Sequence, residues 1–430
     1  MMSRHLATAT YDTIIVGAGV AGITAGYELI RRGDPSQVLI LEASSVWGGR
    51  VRKVNESFAD FPMDIGGGWI HESGEGSPNA RALDAIVNDP QVKISLKTAV
   101  DKKPFVYFED GERVESPAEG DGGSKVLDEI FVNATWYDFF DTYIYPTVKD
   151  HITYDCVVNL IDYSSGDSVN VKCDNGDSMQ AKKVIVTASV DVLRTGVITF
   201  KPEMPQEKTD ILDNYNFSQV AKGFVKFSDR FYESGKSFEI YNPFYNGINK
   251  DVFYWDVTYL QNSNENVMGF LIGGNLLESM KSLNEKKIIS LLLNHLDTIY
   301  GGEANKTYIN HFYKDWTKEP YILGGWTEVD DGSELIDDFR TLLKPLGKNA
   351  VFLAGEAIPH DEWSSTIPAA ALSGQTAACR ILNGSFTMES GCNFRSEPPE
   401  SDANSMGLKP ALTATWLWFG LVFAYFYAAF

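Results

Sequence analysis

The chain has 430 residues, of which 44% are hydrophobic, so it can bury the core of one large domain or of two interleaved domains. Its formal net charge of −21 at pH 7 argues against a protein that binds nucleic acid by neutralising phosphates. An acidic surface can attract cationic small molecules, although it is also the ordinary means of staying in solution.

The cysteines and histidines indicate whether the chain can bind a metal or form a disulfide framework. The six histidines and four cysteines show no metal-ligand spacing, so we expect no metal. Four cysteines are few for a disulfide framework, and a reducing compartment is the default expectation. The cysteines are Cys156, Cys173, Cys379 and Cys392. Glycosylation sequons favour secretion only weakly, because a chain rich in Asn, Ser and Thr produces several by chance. They lie at Asn55, Asn133, Asn216, Asn305 and Asn383.

The first predicted elements are a buried strand, a glycine turn and a helix. Residues 11–22 read YDTIIVGAGVAG, and a second strand ends at Glu42, 20 residues after Gly22. Gly17 permits the tight turn, Gly19 lets the backbone approach a pyrophosphate, and Gly22 lets the helix pack close to the strand. The helix N-terminus can hold phosphates and Glu42 a ribose hydroxyl. This pattern predicts a dinucleotide site, with a ligand-free glycine-rich turn as the alternative.

Two further glycine runs follow. Gly48, Gly49 and Arg50 come directly after the ribose acid, where NAD needs no second glycine pair. They suit close approach to a larger buried cofactor with a cation beside its phosphates. Residues 66–69, Gly-Gly-Gly-Trp, form another close-approach run.

The middle of the chain is predicted to be rich in strands. Residues 157–161 and 168–172 alternate as strands, with turns at Gly166 and Gly176. Residues 217–227 also read as a strand, in which Lys222 shares its face with Val220 and Phe224. A lysine among apolar neighbours suggests burial, a lowered pKa and a functional task. The alternative is a solvated edge lysine, because Lys226 has the same parity.

The C-terminal part combines a buried strand, a helix and an apolar tail. Residues 350–354 predict the strand and residues 368–382 the closing helix. Residues 411–430 carry no charge and would span roughly 30 Å as a helix, about one hydrocarbon core. Residues 1–8 have no apolar stretch typical of a signal peptide. We therefore expect a tail anchor with the catalytic part in the cytosol. A glycosylphosphatidylinositol signal would have a similar tail but would need an N-terminal signal.

Taken together, the segments at residues 11–71, 183–205, 315–326 and 352–374 resemble the flavin-dependent amine oxidase family, in the family's order. The resemblance implies an α/β fold: a Rossmann-like FAD-binding domain, an interleaved α+β substrate domain and a C-terminal transmembrane helix. The predicted FAD-binding domain is discontinuous, at 9–75, 150–200 and 345–385. The predicted substrate domain comprises 76–149 and 201–344, followed by a linker at 386–409 and the membrane anchor at 410–430. The first substrate segment is short for the family, which leaves substrate specificity open.

The resemblance also implies roles for individual residues. Lys222 matches the lysine that holds a water near flavin N5, Trp316 the tryptophan that flanks the flavin, and His71 an active-site histidine of animal polyamine oxidases. For His71 a hydrogen-bonded core histidine is the alternative, and for Trp316 a core side chain. The expected cofactor-binding residues are Gly17, Gly19, Gly22, Glu42, Gly48, Gly49, Arg50, Gly66, Gly67, Gly68, Trp69, Val158, Gly355, Glu356, Thr366, Ile367 and Ala370.

Two positions indicate the subtype. Thr366 stands where monoamine oxidases have an aromatic-cage tyrosine, which favours the polyamine type. Gly324 and Gly325, directly before Trp326, stand where monoamine oxidases have the cysteine that attaches FAD, so we expect non-covalent FAD. Glu72, Glu328, Asp330 and Asp331 could bind a distal ammonium or be solvated loop acids. The expected partners are a small cationic amine or polyamine, molecular oxygen and the membrane, but no nucleic acid.

Two alternatives remain open. One is another flavoenzyme of the superfamily, such as an L-amino-acid oxidase or a carotenoid or porphyrin desaturase. An amino-acid oxidase would need a cation for the substrate carboxylate, and the sequence does not identify one. The other is a membrane-tethered flavoprotein without catalysis.

Overall fold

The computed structural model describes residues 10–54, 57–70, 96–98, 106–109, 112–115, 129–234, 237–241, 243–245, 248–249, 252–328, 335–358 and 364–384. Strands and helices are numbered here in chain order. Two large sheets carry most of the strands.

Within the described part of the chain, the first sheet draws eight strands from three separate stretches of sequence. Its strands are β1 (Thr10–Val16), β2 (Val38–Leu41), β7 (Ile152–Thr153), β8 (Val158–Asp162), β9 (Val169–Cys173), β10 (Ser178–Val186), β11 (Thr199–Lys201) and β21 (Val351–Leu353). The order is β11-β8-β9-β10-β1-β2-β7, with β21 also paired to β10. Strands β10, β1, β2 and β7 run parallel, as does β21 beside β10. The parallel α/β core predicted for the cofactor domain is therefore confirmed.

Helices cover both faces of this sheet, because its central strands are apolar on both sides. Ile14 and Ile15 are both fully buried, in two different hydrophobic clusters. The helices of this half are α1 (Val20–Arg32), α2 (Trp136–Tyr143), α3 (Tyr145–Val148), α4 (Val190–Arg194), α5 (Gln206–Asn214), α9 (Leu335–Leu343) and α10 (Ile367–Asn383). Helix α10 packs on α1, where Gly374 lies so close that an added methyl carbon would sit 1.9 Å from the Ala21 carbonyl oxygen.

Among the described residues, the second sheet has seven strands, and helices cover one of its faces. Its strands are β4 (Val106–Glu109), β5 (Glu112–Glu115), β13 (Val220–Phe227), β14 (Ser237–Tyr241), β17 (Val252–Asp256), β18 (Asn266–Gly273) and β19 (Tyr308–Asp315), in the order β19-β13-β18-β17-β14-β4-β5. The covering helices are α6 (Gly274–Met280), α7 (Glu285–Tyr300) and α8 (Glu303–Thr307). The other face of the sheet packs on Val54, on apolar residues of the segment 58–65 and on Trp316 and Trp326.

Short strands and single helical turns are the remaining elements of the described residues. The short strands pair two by two: β3 (Leu96–Thr98) with β6 (Glu129–Phe131), β12 (Asn216–Phe217) with β20 (Thr327–Glu328), and β15 (Pro243–Tyr245) with β16 (Ile248–Asn249). Turns of 3-10 helix lie at Pro35–Gln37, Lys149–His151 and Trp316–Lys318. The predicted domain boundaries themselves stay predictions.

The cysteines differ from expectation. Cys156 and Cys173 form a disulfide, and Cys379 is also disulfide-bonded, although the small number of cysteines did not favour a disulfide framework. The ladder between β8 and β9 explains the first pair, because it sets Val158 opposite Cys173 and so brings Cys156 near. The spacing of the two cysteines in the sequence does not reveal the register between β8 and β9, so it could not predict this disulfide.

No helix among the described residues is long and apolar enough to cross a membrane. The predicted span at 411–430 and the linker at 386–409 lie outside those residues, and the anchor stays a prediction.

Candidate active site

A cavity of about 710 Å3 opens at the carboxyl ends of β1 and β2. Eight stretches of the described chain supply its wall: residues 16–21, 41–52, 67–69, 156–158, 187–198, 319–326, 355–356 and 365–370. In parallel sheets, ligands bind at this edge, where loops between strands and helices meet. The cavity therefore lies where the sequence predicted a dinucleotide.

The glycine turn after β1 forms one wall. Gly17 has φ +105 and donates its N–H to the Leu41 carbonyl at 2.7 Å. A methyl carbon on Gly22 would lie 1.9 Å from the Gly17 carbonyl oxygen, so the turn closes only with glycine there. A methyl carbon on Gly19 would meet nothing within 4 Å. The first N–H groups of α1 thus stand at an open surface with the positive end of the helix dipole.

Glu42 follows β2 and is held rigidly at the cavity wall. Its Oε2 accepts the Ala18 backbone N–H at 2.7 Å, and its Oε1 accepts the backbone N–H of Ser44 at 2.8 Å and its hydroxyl at 2.7 Å. A carboxylate oxygen has two lone-pair directions, so an acceptor remains for a ligand hydroxyl. This arrangement suits the predicted ribose contact.

Arg50 is paired with an acid. Its Nη1 donates to Glu356 Oε1 at 3.0 Å and to the Gly325 carbonyl at 2.7 Å. Thr327 Oγ1 also donates to Glu356 Oε1, at 2.8 Å. The charge of Arg50 is therefore largely neutralised by Glu356. The two predicted cofactor residues form a partly buried ion pair that joins distant parts of the chain.

The N-terminus of α10 faces the cavity. Thr366 caps the helix by accepting the Ala369 backbone N–H at 3.1 Å, and Ser365 has φ +66. The side of this helix end that lines the cavity comprises residues 365–368 and Ala370. The positive end of the helix dipole favours negative charge on a group bound here.

Lys222 and Trp316 converge on one loop behind the cavity wall. Lys222 lies on β13, and Trp316 directly follows β19, whose Asp315 pairs with Ala221. Lys222 Nζ donates to the Gly66 carbonyl at 2.7 Å, and Trp316 Nε1 donates to the Ile65 carbonyl at 3.3 Å. Gly67, the next residue of that loop, lines the cavity.

Burial governs the charge of Lys222, which is 2% exposed. Desolvation lowers its pKa to about 8, although the nearby Asp64 carboxylate opposes that shift. Its ammonium lies 5.4 Å from the ring centre of Trp255 and 5.7 Å from that of Phe224. The predicted buried lysine with a lowered pKa is thus present in the structure.

Asp64 is the neighbour that sequence reasoning missed. Burial raises its pKa to about 7, against the opposing effects of the Trp136 N–H, 3.1 Å from Oδ2, and of Lys222. A methyl carbon placed on Gly68 would lie 3.7 Å from Lys222 Nζ and 4.0 Å from Asp64 Oδ2, so both groups flank one point. Oδ1 is enclosed and has no hydrogen-bond partner among the described residues.

The structure places most predicted cofactor residues on the cavity wall. Those that line it are Gly17, Gly19, Glu42, Gly48, Gly49, Arg50, Gly67, Trp69, Val158, Gly355, Glu356, Thr366, Ile367 and Ala370. Gly22, Gly66, Gly68, Lys222 and Trp316 are described but do not line it. His71 lies outside the described residues. The roles of all these residues stay predictions.

Other wall residues were not predicted. Thr187, Ser189 and Trp326 line the cavity, and Thr327 supports it through Glu356. Thr187 follows β10 directly, so its place at the end of a parallel strand was a usable signal. Thr327 gives no such signal, because its contact with Glu356 spans 29 residues.

Comparison with known proteins agrees with this geometry. The sequence profile described as flavin containing amine oxidoreductase matches residues 20–131 and 137–382. Polyamine oxidase 6 of Oryza sativa subsp. japonica is 25% identical over 316 residues, which cover 53% of this chain and 62% of the rice protein. The peroxisomal N(1)-acetyl-spermine/spermidine oxidase of Bos taurus is 23% identical, covering 86% of this chain and 94% of the bovine one.

Among solved structures, putrescine oxidase bound to putrescine has a TM-score of 0.70 at 14% identity, covering 88% of this chain and 100% of that one. At that identity the likeness shows the shared fold. The match to the rice relative spans less than two thirds of that protein's length. The family profile, by contrast, covers most of this chain. The chain belongs to the flavin-containing amine oxidoreductase family, which implies FAD as its cofactor.

Proposed function

We propose that this protein oxidises an amine to an imine, which water then hydrolyses to an aldehyde. When bound, FAD supplies the redox chemistry by accepting the hydride of the amine α-carbon at N5 and passing two electrons to oxygen, which leaves as hydrogen peroxide. The observation that carries the proposal is the loop at 65–67. Its carbonyls hold Lys222 and Trp316, and its Gly67 forms part of the cavity wall.

The described residues fit FAD. Glu42 would accept the ribose hydroxyls, and the open N-terminus of α1 beside Gly19 would hold the pyrophosphate. The N-terminus of α10, at Thr366 and Ile367, would stand at the flavin end. The Arg50–Glu356 pair would rigidify the wall between these parts, because it ties the second glycine pair to the β21–α10 connection.

We propose that the FAD is bound without a covalent link. Among the described cysteines, Cys156 lines the cavity, and its sulfur is committed to the disulfide with Cys173. Gly324 and Gly325, where monoamine oxidases carry the linking cysteine, offer no thiol. Denaturation with trichloroacetic acid should therefore release all of the flavin into the supernatant, and flavin retained in the pellet would contradict this.

We propose that Lys222 manages a proton at the reacting amine. An amine must be neutral before its α C–H can be oxidised, and a lysine with a pKa of about 8 is partly deprotonated at neutral pH. Through a water beside Gly67, Lys222 can accept the proton that a cationic substrate brings. The buried Trp316 would fix the loop against which that water lies.

We propose a polyamine in preference to a monoamine as substrate. Thr366 replaces the tyrosine that supplies half of the aromatic cage in monoamine oxidases. The net charge of −21 favours a multiply charged cation as substrate. Glu319 on the cavity wall is committed to Arg52, at 3.0 Å, and to Lys314. Glu328 accepts the Ser218 hydroxyl. The acids at 72, 330 and 331 lie outside the described residues.

The decisive experiment is anaerobic reduction of the purified full chain in mild detergent. Spermine, spermidine, acetylated polyamines, benzylamine and amino acids are added in turn, and bleaching of the flavin absorption band is followed. Rapid bleaching by a polyamine is expected, and bleaching by benzylamine alone would contradict the substrate class. A bound flavin that no amine bleaches would overturn the proposed activity.

We further propose that residues 411–430 anchor the chain in a membrane. The full chain should stay in the pellet after carbonate extraction of membranes, whereas a chain truncated before Ala411 should not. Release of the full chain into the supernatant would contradict the anchor.

A further inference from the structure

The disulfide between Cys156 and Cys173 is the first of two observations that bear on where this protein matures. Their Cα atoms are 5.4 Å apart and both residues are buried, at 1% and 3% exposure. None of the described cysteines has a free thiol. Disulfides form and persist in oxidising compartments and are rare in the cytosol.

The second observation concerns the glycosylation sequons. Four of the five sequon asparagines lie among the described residues, and every one of them is exposed: Asn133, Asn216, Asn305 and Asn383. Asn55 lies outside the described residues. A glycan can occupy an asparagine only where the folded protein leaves room, which these four positions do.

The hydrogen bonds of the side-chain amide nitrogens distinguish these four asparagines from one another. Asn305 Nδ2 donates to Asn294 at 2.9 Å and to Asp297 at 2.5 Å, and a glycan would remove one of these donors. Asn133 uses only its carbonyl oxygen, which accepts the Asn262 N–H at 3.3 Å. Within the part of the chain that the structure describes, the Nδ2 groups of Asn133, Asn216 and Asn383 make no hydrogen bond.

These three asparagines also avoid the active site. None of them lines the cavity, since Asn133 precedes α2, Asn216 opens the short strand β12 and Asn383 ends α10. Glycans there would leave the cavity accessible to cofactor and substrate.

We propose that this protein is an N-glycoprotein of the secretory pathway, modified at Asn133, Asn216 and Asn383. In this transfer the amide nitrogen bonds to C1 of a lipid-diphosphate-linked sugar, the C1–O bond breaks, the amide loses one proton and the lipid diphosphate leaves. The Cys156–Cys173 disulfide forms there too, when two thiols pass two electrons and two protons to an oxidised protein disulfide.

The inference changes the expected orientation of the membrane anchor. A cytosolic catalytic domain would meet neither the oxidant nor the sugar donor. With residues 411–430 as a membrane span, the catalytic domain lies on the lumenal or outer face. This inference does not depend on which amine is oxidised, so it stands or falls separately from the proposed activity.

The first test uses the native full-length protein from its source cells. Thiols are blocked with N-ethylmaleimide during lysis, and the protein is then treated with peptide N-glycosidase F. We expect the protein to migrate faster in gel electrophoresis after treatment, and peptide mass spectra to show the three asparagines converted to aspartate. Cys156 and Cys173 should not be alkylated by N-ethylmaleimide, because their thiols are joined in the disulfide. Unchanged migration together with alkylation of both cysteines would overturn the proposal. The absence of any conversion of the three asparagines to aspartate would overturn it by itself.

Variants of the full chain, expressed in a eukaryotic host, test one site directly. Asn216→Gln should lose one glycan, whereas Asn214→Gln, outside any sequon, should keep the wild-type pattern. If Asn216→Gln misfolds, Ser218→Ala should also lose the glycan while Ser218→Thr keeps it. An identical glycan pattern in Ser218→Ala and wild type would exclude Asn216 as an acceptor.

Discussion

At the residue scale, the proposed chemistry depends on a lysine that the fold forces out of water. Lys222 donates a hydrogen bond to a neutral carbonyl, that of Gly66 at 2.7 Å, and its ammonium lies beside the rings of Phe224 and Trp255. Lys226, on the same strand face, instead reaches Glu265 at 2.6 Å and keeps an acidic partner. The two lysines therefore form a matched pair for testing what burial contributes.

Lys222→Met should slow flavin reduction by amine about 100-fold or more, the usual size of a proton-transfer contribution. Flavin content should be unchanged, because Lys222 does not line the cavity. The measurement is stopped-flow bleaching under anaerobic conditions. Lys226→Met is the control and should stay near the wild-type rate. Equal rates in Lys222→Met and wild type would remove the lysine from the proposed mechanism.

The pair formed by Asp64 and Lys222 predicts a specific pH dependence. The wild-type reduction rate should rise as pH increases through about 8, where Lys222 loses its proton. Asp64→Asn removes the carboxylate that holds the lysine pKa up, so this rise should move to lower pH. Asp138 also acts on Asp64 and is unchanged in this variant.

Asp60→Asn is the control for that shift, because the Asp60 carboxylate is exposed on the same segment. It should leave the pH profile in place. A profile of Asp64→Asn that coincides with wild type, in a protein that still binds flavin, would show that the two buried groups do not interact.

At the element scale, the sequence predicts what is local and misses what depends on pairing between distant strands. The strand, glycine turn, helix and Glu42 all fall within residues 10–42, and turn geometry links them directly. Asp64 and Lys222 meet because the loop at 65–68 packs against β13. The residues next to Asp64 and Lys222 in the sequence do not indicate this contact. Likewise, the disulfide needs the register of β8 against β9.

Helix α7 carries a titratable side chain, His295, which packing against the second sheet buries. His295 is 5% exposed, and burial lowers its pKa from 6.5 to about 3. Its Nδ1 lies 3.3 Å from the Tyr254 hydroxyl on β17. Because the folded pKa lies below the unfolded value, the stability from neutral His295 is fully present above about pH 6.5. It is lost as pH falls towards 3.

Replacing His295 with Gln should remove this acid sensitivity. Between pH 7 and pH 4.5 the free energy of unfolding of wild type should fall by about 2 to 3 kcal/mol more than that of the variant. Urea unfolding followed by circular dichroism at the two pH values measures the difference. His151→Gln, on a half-buried surface turn, should behave as wild type, and an equal acid loss in His295→Gln would contradict the assignment.

At the scale of the whole molecule, the cavity is built by parts of the chain that fold into different layers. The glycine turns come from residues 17–49, Val158 begins β8, and residues 355–370 join β21 to α10. Arg50 and Glu356 bridge these parts across 306 residues. A ligand that contacts all three parts stabilises the native chain, because the unfolded chain offers no such site.

Removal of FAD should therefore lower the melting temperature of the whole described domain in one transition. Adding back FAD at 100 times its dissociation constant should restore about 2.7 kcal/mol of stability. Differential scanning calorimetry of the holoprotein, the flavin-depleted protein and the reconstituted protein measures this. Glu42→Gln should weaken the recovery, because its amide replaces one acceptor with a donor at the Ala18 and Ser44 N–H groups and at the ribose. An unchanged melting temperature after depletion would mean that the cavity does not hold the cofactor across its three chain segments.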